Sequence, residues 1–206
     1  MPISYEHRCI YIHIPKCAGS AIESVLNIKK RNKLQLHGPD GNGDFLQHYT
    51  LSQIESHYES SDTNLRDFYI FTIVRNPYSK LVSDYSWCKR WFKHKWLMKD
   101  STSVGFKSFA EYILFIKAVG VESWSHFRPQ YQFIQCGTKC TVFKIESLKK
   151  SYPIIKAELR LDSDLPIVNK SSHKHWSKYY SKELYEIVND MYSNDFSAFG
   201  YTKITT

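Results

Sequence analysis

The sequence predicts an α/β fold in which a mostly parallel sheet is flanked by helices. Apolar runs of strand length alternate along the chain with longer segments of helical period, the pattern of a sheet covered on both faces. Two of those runs, residues 9–14 and 67–74, read as buried strands, and each leads straight into a polar turn that opens a helix. No internal repeat, low-complexity tract or linker divides the chain, so its 206 residues are expected to form one domain spanning 1–206.

The first strand, 9–14, is followed by a helix predicted over 19–29. Residues 31–47 carry Gly38, Pro39, Gly41 and Gly43 and read as a mobile loop. Thr50-x-x-Gln53 is a capping box that starts a helix over 50–59. After the second strand, Asn76 as N-cap and Pro77 at the first helical position begin a helix over 77–95. Ser108-x-x-Glu111 is another capping box, and Gly120 is a stop, which predicts a helix over 108–120. Thr141 to Ile145 is a short β-type run. Behind a Ser181 cap, Leu184, Ile187, Val188, Met191 and Tyr192 repeat at helical spacing, so the chain is expected to close on one long amphipathic helix.

Bulk properties narrow the function less. Apolar residues at 42% indicate a globular chain, and a formal charge of +8 favours an anionic partner: nucleic acid, an acidic polysaccharide or a polyanionic cofactor. The five cysteines, an odd number without a repeating framework, read as reduced thiols in a cytosol-like compartment. Cys136-x-x-x-Cys140 lacks a second ligand pair for zinc and reads as a turn between two strands. The chain enters its first strand without a charged-then-apolar leader, and nothing approaches the roughly 20 apolar residues of a membrane span. A cytoplasmic protein without a membrane anchor is expected.

The two strand-to-helix turns are built to hold phosphate. In Ile10-Tyr-Ile-His-Ile-Pro-Lys-Cys-Ala-Gly-Ser-Ala21, Lys16 and the backbone amides around Gly19 lie where a strand ends and a helix begins. In Phe71-Thr-Ile-Val-Arg-Asn-Pro-Tyr-Ser-Lys-Leu-Val-Ser83, Arg75 brings a guanidinium able to clasp phosphate through two parallel hydrogen bonds, and the Ser83 hydroxyl is a further donor. One ligand with two separate phosphates fits the pair.

These two stretches resemble the signatures His-Ile-Pro-Lys-x-x-Gly-(Ser/Thr) and Val-Arg-(Asn/Asp)-Pro-x-x-Arg-x-x-Ser-x-Tyr of sulfotransferases that use 3′-phosphoadenosine 5′-phosphosulfate (PAPS), most of all the carbohydrate sulfotransferases of sulfotransferase family 2. The resemblance implies a P-loop-NTPase-like three-layer fold. It implies that Lys16, Cys17, Ala18, Gly19, Ser20 and Ala21 cradle the phosphosulfate and that Arg75 and Ser83 hold the 3′-phosphate, with adenosine 3′,5′-bisphosphate (PAP) as product and no metal. Cys17-Ala18 stands where the family has Thr-Gly or Thr-Ala, and Lys80 replaces a common Arg. The lost Thr hydroxyl removes one donor but no backbone amide. Pro166-Ile-Val-Asn169-Lys-Ser-Ser172 resembles a later loop that folds over the cofactor, which adds Lys170 and Ser172. Glu146, in Val142-Phe-Lys-Ile-Glu146-Ser-Leu, resembles a structural position near the nucleotide.

Sulfuryl transfer needs a group to neutralise the departing phosphate and a base for the acceptor hydroxyl. Lys16 is the candidate for the first, and a histidine for the second. His48 follows the glycine-rich loop in a segment that corresponds to the family's catalytic histidine; a solvent-exposed loop histidine is the alternative. His126, in Ser-His-Phe-Arg-Pro-Gln, resembles a segment lining the acceptor cleft, or is a helix-end histidine packed on aromatics. His13, inside the first strand, points into the fold beside the loop. The stretch from Tyr85 to Trp96 alternates rings and cations. It reads as an amphipathic helix with Trp87, Cys88 and Trp91 inward and Lys89, Lys93 and Lys95 wet, the alternative being a sugar-stacking surface. The expected partner is a carbohydrate or other hydroxyl acceptor, and the +8 charge suits an anionic one. Two other readings stay open: a P-loop-like nucleotide kinase, whose motif would place Lys after the Gly, and a basic nucleic-acid-binding module.

Overall fold

A computed structural model of the protein describes residues 3–42, 44–58, 65–91, 96–97, 103–104, 106–166 and 173–205. In chain order its strands are β1 (Ile3–Ser4), β2 (Cys9–Ile12), β3 (Tyr69–Val74), β4 (Trp96–Leu97), β5 (Ser103–Val104) and β6 (Thr141–Lys144). Its α-helices are α1 (Gly19–Val25), α2 (Leu51–Tyr58), α3 (Pro77–Trp91), α4 (Phe109–Val119), α5 (Leu148–Glu158), α6 (Lys182–Met191) and α7 (Ser193–Phe199). The α/β class with a mostly parallel sheet is the one expected. The chain parts into two compact units, Met1–Arg75 with Gln130–Asn169 and Asn76–Pro129 with Lys170–Thr206.

The first unit holds a four-stranded sheet in the order β1-β2-β3-β6. β2, β3 and β6 run parallel, with Tyr11 opposite Phe71 and Phe71 opposite Thr141, while β1 pairs antiparallel with β2. All four residues of β2 are buried, as befits a central parallel strand. β1 has two residues, too few to register as a period. β2 ends at Ile12, before the predicted limit, because Ile14 N–H turns back to the Ile12 carbonyl at 3.0 Å. β3 starts at Tyr69, after a 3₁₀ turn at Leu65–Asp67 that occupies the predicted strand start.

α1 stops at Val25 and not at 29; Leu26 caps it and Asn27, at φ 54°, reverses the chain. Asparagine tolerates that left-handed backbone, so no glycine marks the end. Residues 31–47 are more built than a bare loop. They contain 3₁₀ turns at Lys33–Gln35 and Leu46–His48 and a Pro39–Phe45 bridge, and the Asp40 carboxylate accepts from the Asn42 and Asp44 amides. The Thr50 capping box of α2 is reciprocal: Thr50 Oγ1 accepts from Gln53 N–H at 3.3 Å, and Gln53 Oε1 accepts from Thr50 N–H at 2.8 Å. α5 contains Pro153, a residue that argues against a helix in a sequence reading. Burial of Leu148, Tyr152, Ile155 and Leu159 on one face outweighs the lost hydrogen bond.

The second unit packs α3, α4, α6 and α7 around one core. Tyr78, Leu81, Val82 and Tyr85 of α3 meet Tyr112, Ile113 and Ile116 of α4 and Leu184, Val188 and Phe196 of the C-terminal helices. Ser108 Oγ accepts from Glu111 N–H at 3.2 Å, but the Glu111 carboxylate takes the Lys107 amide, so the box closes one residue early. Gly120 ends α4 at φ 87°. The long C-terminal helix is in fact two, α6 and α7, separated at Tyr192, which has φ −116° and ψ 24°. The apolar spacing from Val188 through Tyr192 to Phe196 runs on across the break, so periodicity alone does not reveal it. α3 is described to Trp91; the predicted continuation to 95 lies outside the described residues. Within it Tyr85 and Cys88 are buried, Trp87 is half-buried and Lys89 is exposed, its Nζ 5.5 Å from the Tyr85 ring centroid.

Candidate active site

β2 and β3 are adjacent and parallel, so the turns after them emerge at the same sheet edge, where α/β folds place their ligands. The turn after β2 carries two residues in left-handed backbone, Lys16 (φ 67°) and Ala18 (φ 64°). Each costs a non-glycine residue about 1–2 kcal/mol, strain that persists because the surroundings hold the turn. Cys17 N–H reaches the Ile14 carbonyl at 3.3 Å, and the buried Tyr11 hydroxyl donates to the Cys17 carbonyl at 3.0 Å. Ala18 is the N-cap of α1 and offers no side-chain acceptor. The first-turn amides of Gly19 and Ser20 therefore have neither an intrahelical carbonyl nor a cap to receive them.

Arg75 follows β3. One guanidinium nitrogen, Nη1, donates to the Lys16 carbonyl at 3.2 Å, which ties the second turn to the first. Gln130, fully buried, holds both. Its Oε1 accepts from Arg75 N–H and its Nε2 donates to the Arg75 carbonyl, each at 2.8 Å, while Cys17 Sγ donates to the same Oε1 at 3.4 Å. Lys16 and Arg75 are both half-buried.

Behind the first turn lies a histidine–carboxylate cluster. His13 Nδ1 donates to Glu23 Oε1 at 2.5 Å, and His37 Nε2 stands 3.7 Å from Glu23 Oε2. Burial pushes the Glu23 carboxyl up, but the His13 charge and hydrogen bonds from His13 and His37 outweigh it and hold the group well below the usual carboxylate range. His48 is buried rather than a solvent-exposed loop histidine. Its Nδ1 is 3.0 Å from the His13 carbonyl; a carbonyl only accepts, so Nδ1 carries a proton there. The His13 and His48 rings meet edge to face at 4.7 Å.

Ser83, Lys80 and His126 belong to the second unit. Ser83 is buried in α3. Lys80, also buried, donates through Nζ to the His126 carbonyl at 2.7 Å. His126 Nδ1 donates to Asp84 Oδ1 at 2.6 Å, and the Tyr112 hydroxyl donates to Asp84 Oδ2 at 2.7 Å. Trp124 stacks on the His126 ring at 3.8 Å and Trp87 at 5.0 Å. His126 thus packs on aromatics, in a turn rather than at a helix end, and its ring also meets the Asp84 carboxylate.

The model of the Sulfotransferase family matches residues 1–202, nearly the whole chain. The chain belongs to the sulfotransferase family. No curated protein and no solved structure matches it. Membership makes this chain a transferase of sulfuryl groups to hydroxyl acceptors and fits a P-loop-like fold. It selects sulfuryl transfer over the nucleotide-kinase and nucleic-acid readings.

In this sulfotransferase the first unit brings together Lys16, Cys17, Ala18, Gly19, Ser20, Ala21, Arg75 and His48 of the sequence-derived candidates. Ser83 and His126 stand in the second unit, and Lys170 and Ser172 lie outside the described residues. Sequence reasoning missed Gln130 and Glu23. Gln130 was in view, in the Ser-His-Phe-Arg-Pro-Gln segment, but its partner Arg75 is 55 residues away in the chain and no period links them. Glu23 had a local signal: it follows Gly19 by four, on the same face of α1. Cys136 and Cys140 join a 3₁₀ turn to β6, not two strands, and Cys136 Sγ faces Glu55 at 3.7 Å. Glu146 is exposed in a 3₁₀ turn ahead of α5. A cavity of about 770 Å³, lined by Glu55, Phe68, Tyr69, Thr138, Lys139 and Thr141 among others, opens at the starts of β3 and β6, the opposite end of those strands from Arg75. Among the described residues, no helix is long and apolar enough to cross a membrane.

Proposed function

We propose that this sulfotransferase moves a sulfuryl group from PAPS to a hydroxyl of a carbohydrate acceptor, and that residues 1–206 act as one sulfotransferase domain in the cytoplasm. The observation that carries the reading is the Arg75 guanidinium on the Lys16 carbonyl, which joins two phosphate-type turns at neighbouring strand ends. The donor set suits a bisphosphorylated nucleotide: an ammonium, a guanidinium and first-turn amides left uncapped by Ala18. When bound, PAPS supplies the sulfuryl group and departs as PAP. The Lys16–Ala21 turn holds the phosphosulfate end, and Arg75 and Ser83 hold the 3′-phosphate, with Lys170 and Ser172 as further cofactor-binding residues. Lys16 neutralises the charge that grows on the leaving phosphate oxygen. His48 takes the acceptor's proton on Nε2, a role supported by the hydrogen bond that commits Nδ1. His126, oriented by Asp84, is the second candidate base.

Calorimetry with PAP and turnover of radiolabelled PAPS on a panel of glycans test this. Wild type is expected to bind PAP, and Lys16→Ala to lose turnover by roughly 100-fold or more. A folded wild-type protein that ignores PAP refutes the reading. Product formed equally by His48→Ala and wild type removes His48 from the chemistry and moves the role to His126.

A further inference from the structure

We propose that His13 and Glu23 form a positioning pair that sets where the Lys16–Ala21 turn and His48 stand relative to each other. The proposal rests on the function proposed above.

His13 touches both halves of that arrangement. A Cβ at Gly19 would lie 1.8 Å from His13 Nε2, so the ring occupies the space that only glycine leaves open in the turn. Gly19 and Glu23, four residues apart, share one face of α1, and the ring covers that face by packing on the first and donating to the second. The rotation of α1 about its axis, and with it the direction of its first amides, is thereby keyed to the end of β2. The carbonyl of the same residue receives His48 Nδ1–H, and the His13 ring edge meets the His48 ring. Tyr11 stacks against the ring at 5.8 Å. Its contacts on Gly19, Glu23, His48 and Tyr11 leave the imidazole one pose.

Glu23 is what holds that pose. Removing its oxygen frees the His13 Nδ1–H to seek another acceptor, and the ring cannot swing without moving against Gly19 or His48. His37, across the carboxylate at 3.7 Å, helps to keep Glu23 ionised. Hydrogen-bonded second groups that orient a reacting one act through distance and angle, so their loss falls on turnover more than on ligand affinity.

The test compares Glu23→Gln, Glu23→Asp and Glu23→Leu. Glu23→Gln keeps an oxygen for His13 and should stay within about threefold of wild-type kcat, whereas Glu23→Leu should lose about 100-fold in kcat with the PAP dissociation constant within about threefold. In NMR spectra the His48 ring signals should move in Glu23→Leu and stay in Glu23→Gln. Unchanged kcat and unchanged His48 signals in Glu23→Leu overturn the pair, as do equal losses in the Gln and Leu variants, or PAP affinity lost in step with kcat. If Glu23→Leu does not fold, Glu23→Asp decides: it shortens the reach to His13, and wild-type kcat with unmoved His48 signals refutes the proposal. If wild type ignores PAP, the proposed function fails, and the pair is judged on the His48 signals alone: moved in the altered variants they support it, unmoved they sink it.

Discussion

Gln130→Ala probes the junction that joins the turns after β2 and β3. In the native fold the side chain is fully buried and makes two 2.8 Å hydrogen bonds to the backbone of Arg75, one in each direction. Alanine leaves that N–H and that carbonyl without their partner. An unmet buried polar group costs about 1–3 kcal/mol, and because Arg75 is half-buried, water recovers part, so the pair together costs about 2–4 kcal/mol. For a chain of this size the expected fall in Tm is roughly 5–15 °C. Gln130→Glu has the same shape but turns an acceptor toward the Arg75 carbonyl. Burial and that carbonyl raise the new carboxyl in the folded state, so its native form binds protons more readily than its unfolded form. Its stability deficit against wild type is then largest at neutral pH and shrinks as pH falls toward the unfolded value of about 4.3, where the protonated group donates as Gln130 does. Thermal melts between about pH 5 and 8, with hydrogen exchange at the Arg75 amide, measure both effects. An alanine variant melting within about 2 °C of wild type, or a Gln130→Glu deficit that grows as pH falls, refutes the reasoning.

Gly19→Ala puts a Cβ 1.8 Å from His13 Nε2 and should cost about 1–3 kcal/mol; in a His13→Ala background most of that loss should vanish, read as a coupling above about 1 kcal/mol in a denaturant cycle. Glu23, held well below 4.5 in the native state, contributes stability that is present above its unfolded pKa and lost as pH falls below it. The gap in Tm between wild type and Glu23→Gln should thus be open at neutral pH and close from about pH 5 downward. Asp84→Ala strands the His126 ring proton and the Tyr112 hydroxyl in a buried site, for an expected loss of about 3–5 kcal/mol in urea unfolding, and a loss under about 1 kcal/mol contradicts the network.

Local chemistry made much of the fold legible. β2 and β3 are apolar runs with one assignment open to them, and the caps at Thr50, Ser108 and Ser181 act through atoms within three residues of each other. The features that escaped are those where a tertiary contact overrules a local signal. α5, which carries Pro153, had no assignment from the sequence and forms where Leu148, Tyr152 and Ile155 are buried together, and Tyr192 broke a helix whose apolar spacing ran on. At the site, Lys16 and Arg75 announced themselves by their turns. Gln130 did not, because an amide side chain acquires meaning only from the backbone it meets.

By itself the sequence determined the α/β class, the two strand-to-helix turns and the family, because strand periodicity, glycine placement and cation spacing are properties of neighbours in the chain. Only the tertiary structure decided that Arg75 leans on the Lys16 carbonyl, that Gln130 clamps both turns, and that His13 stands between Gly19 and His48. Those are contacts across 35 to 113 residues of chain at their longest separations, and they exist because adjacent parallel strands end side by side.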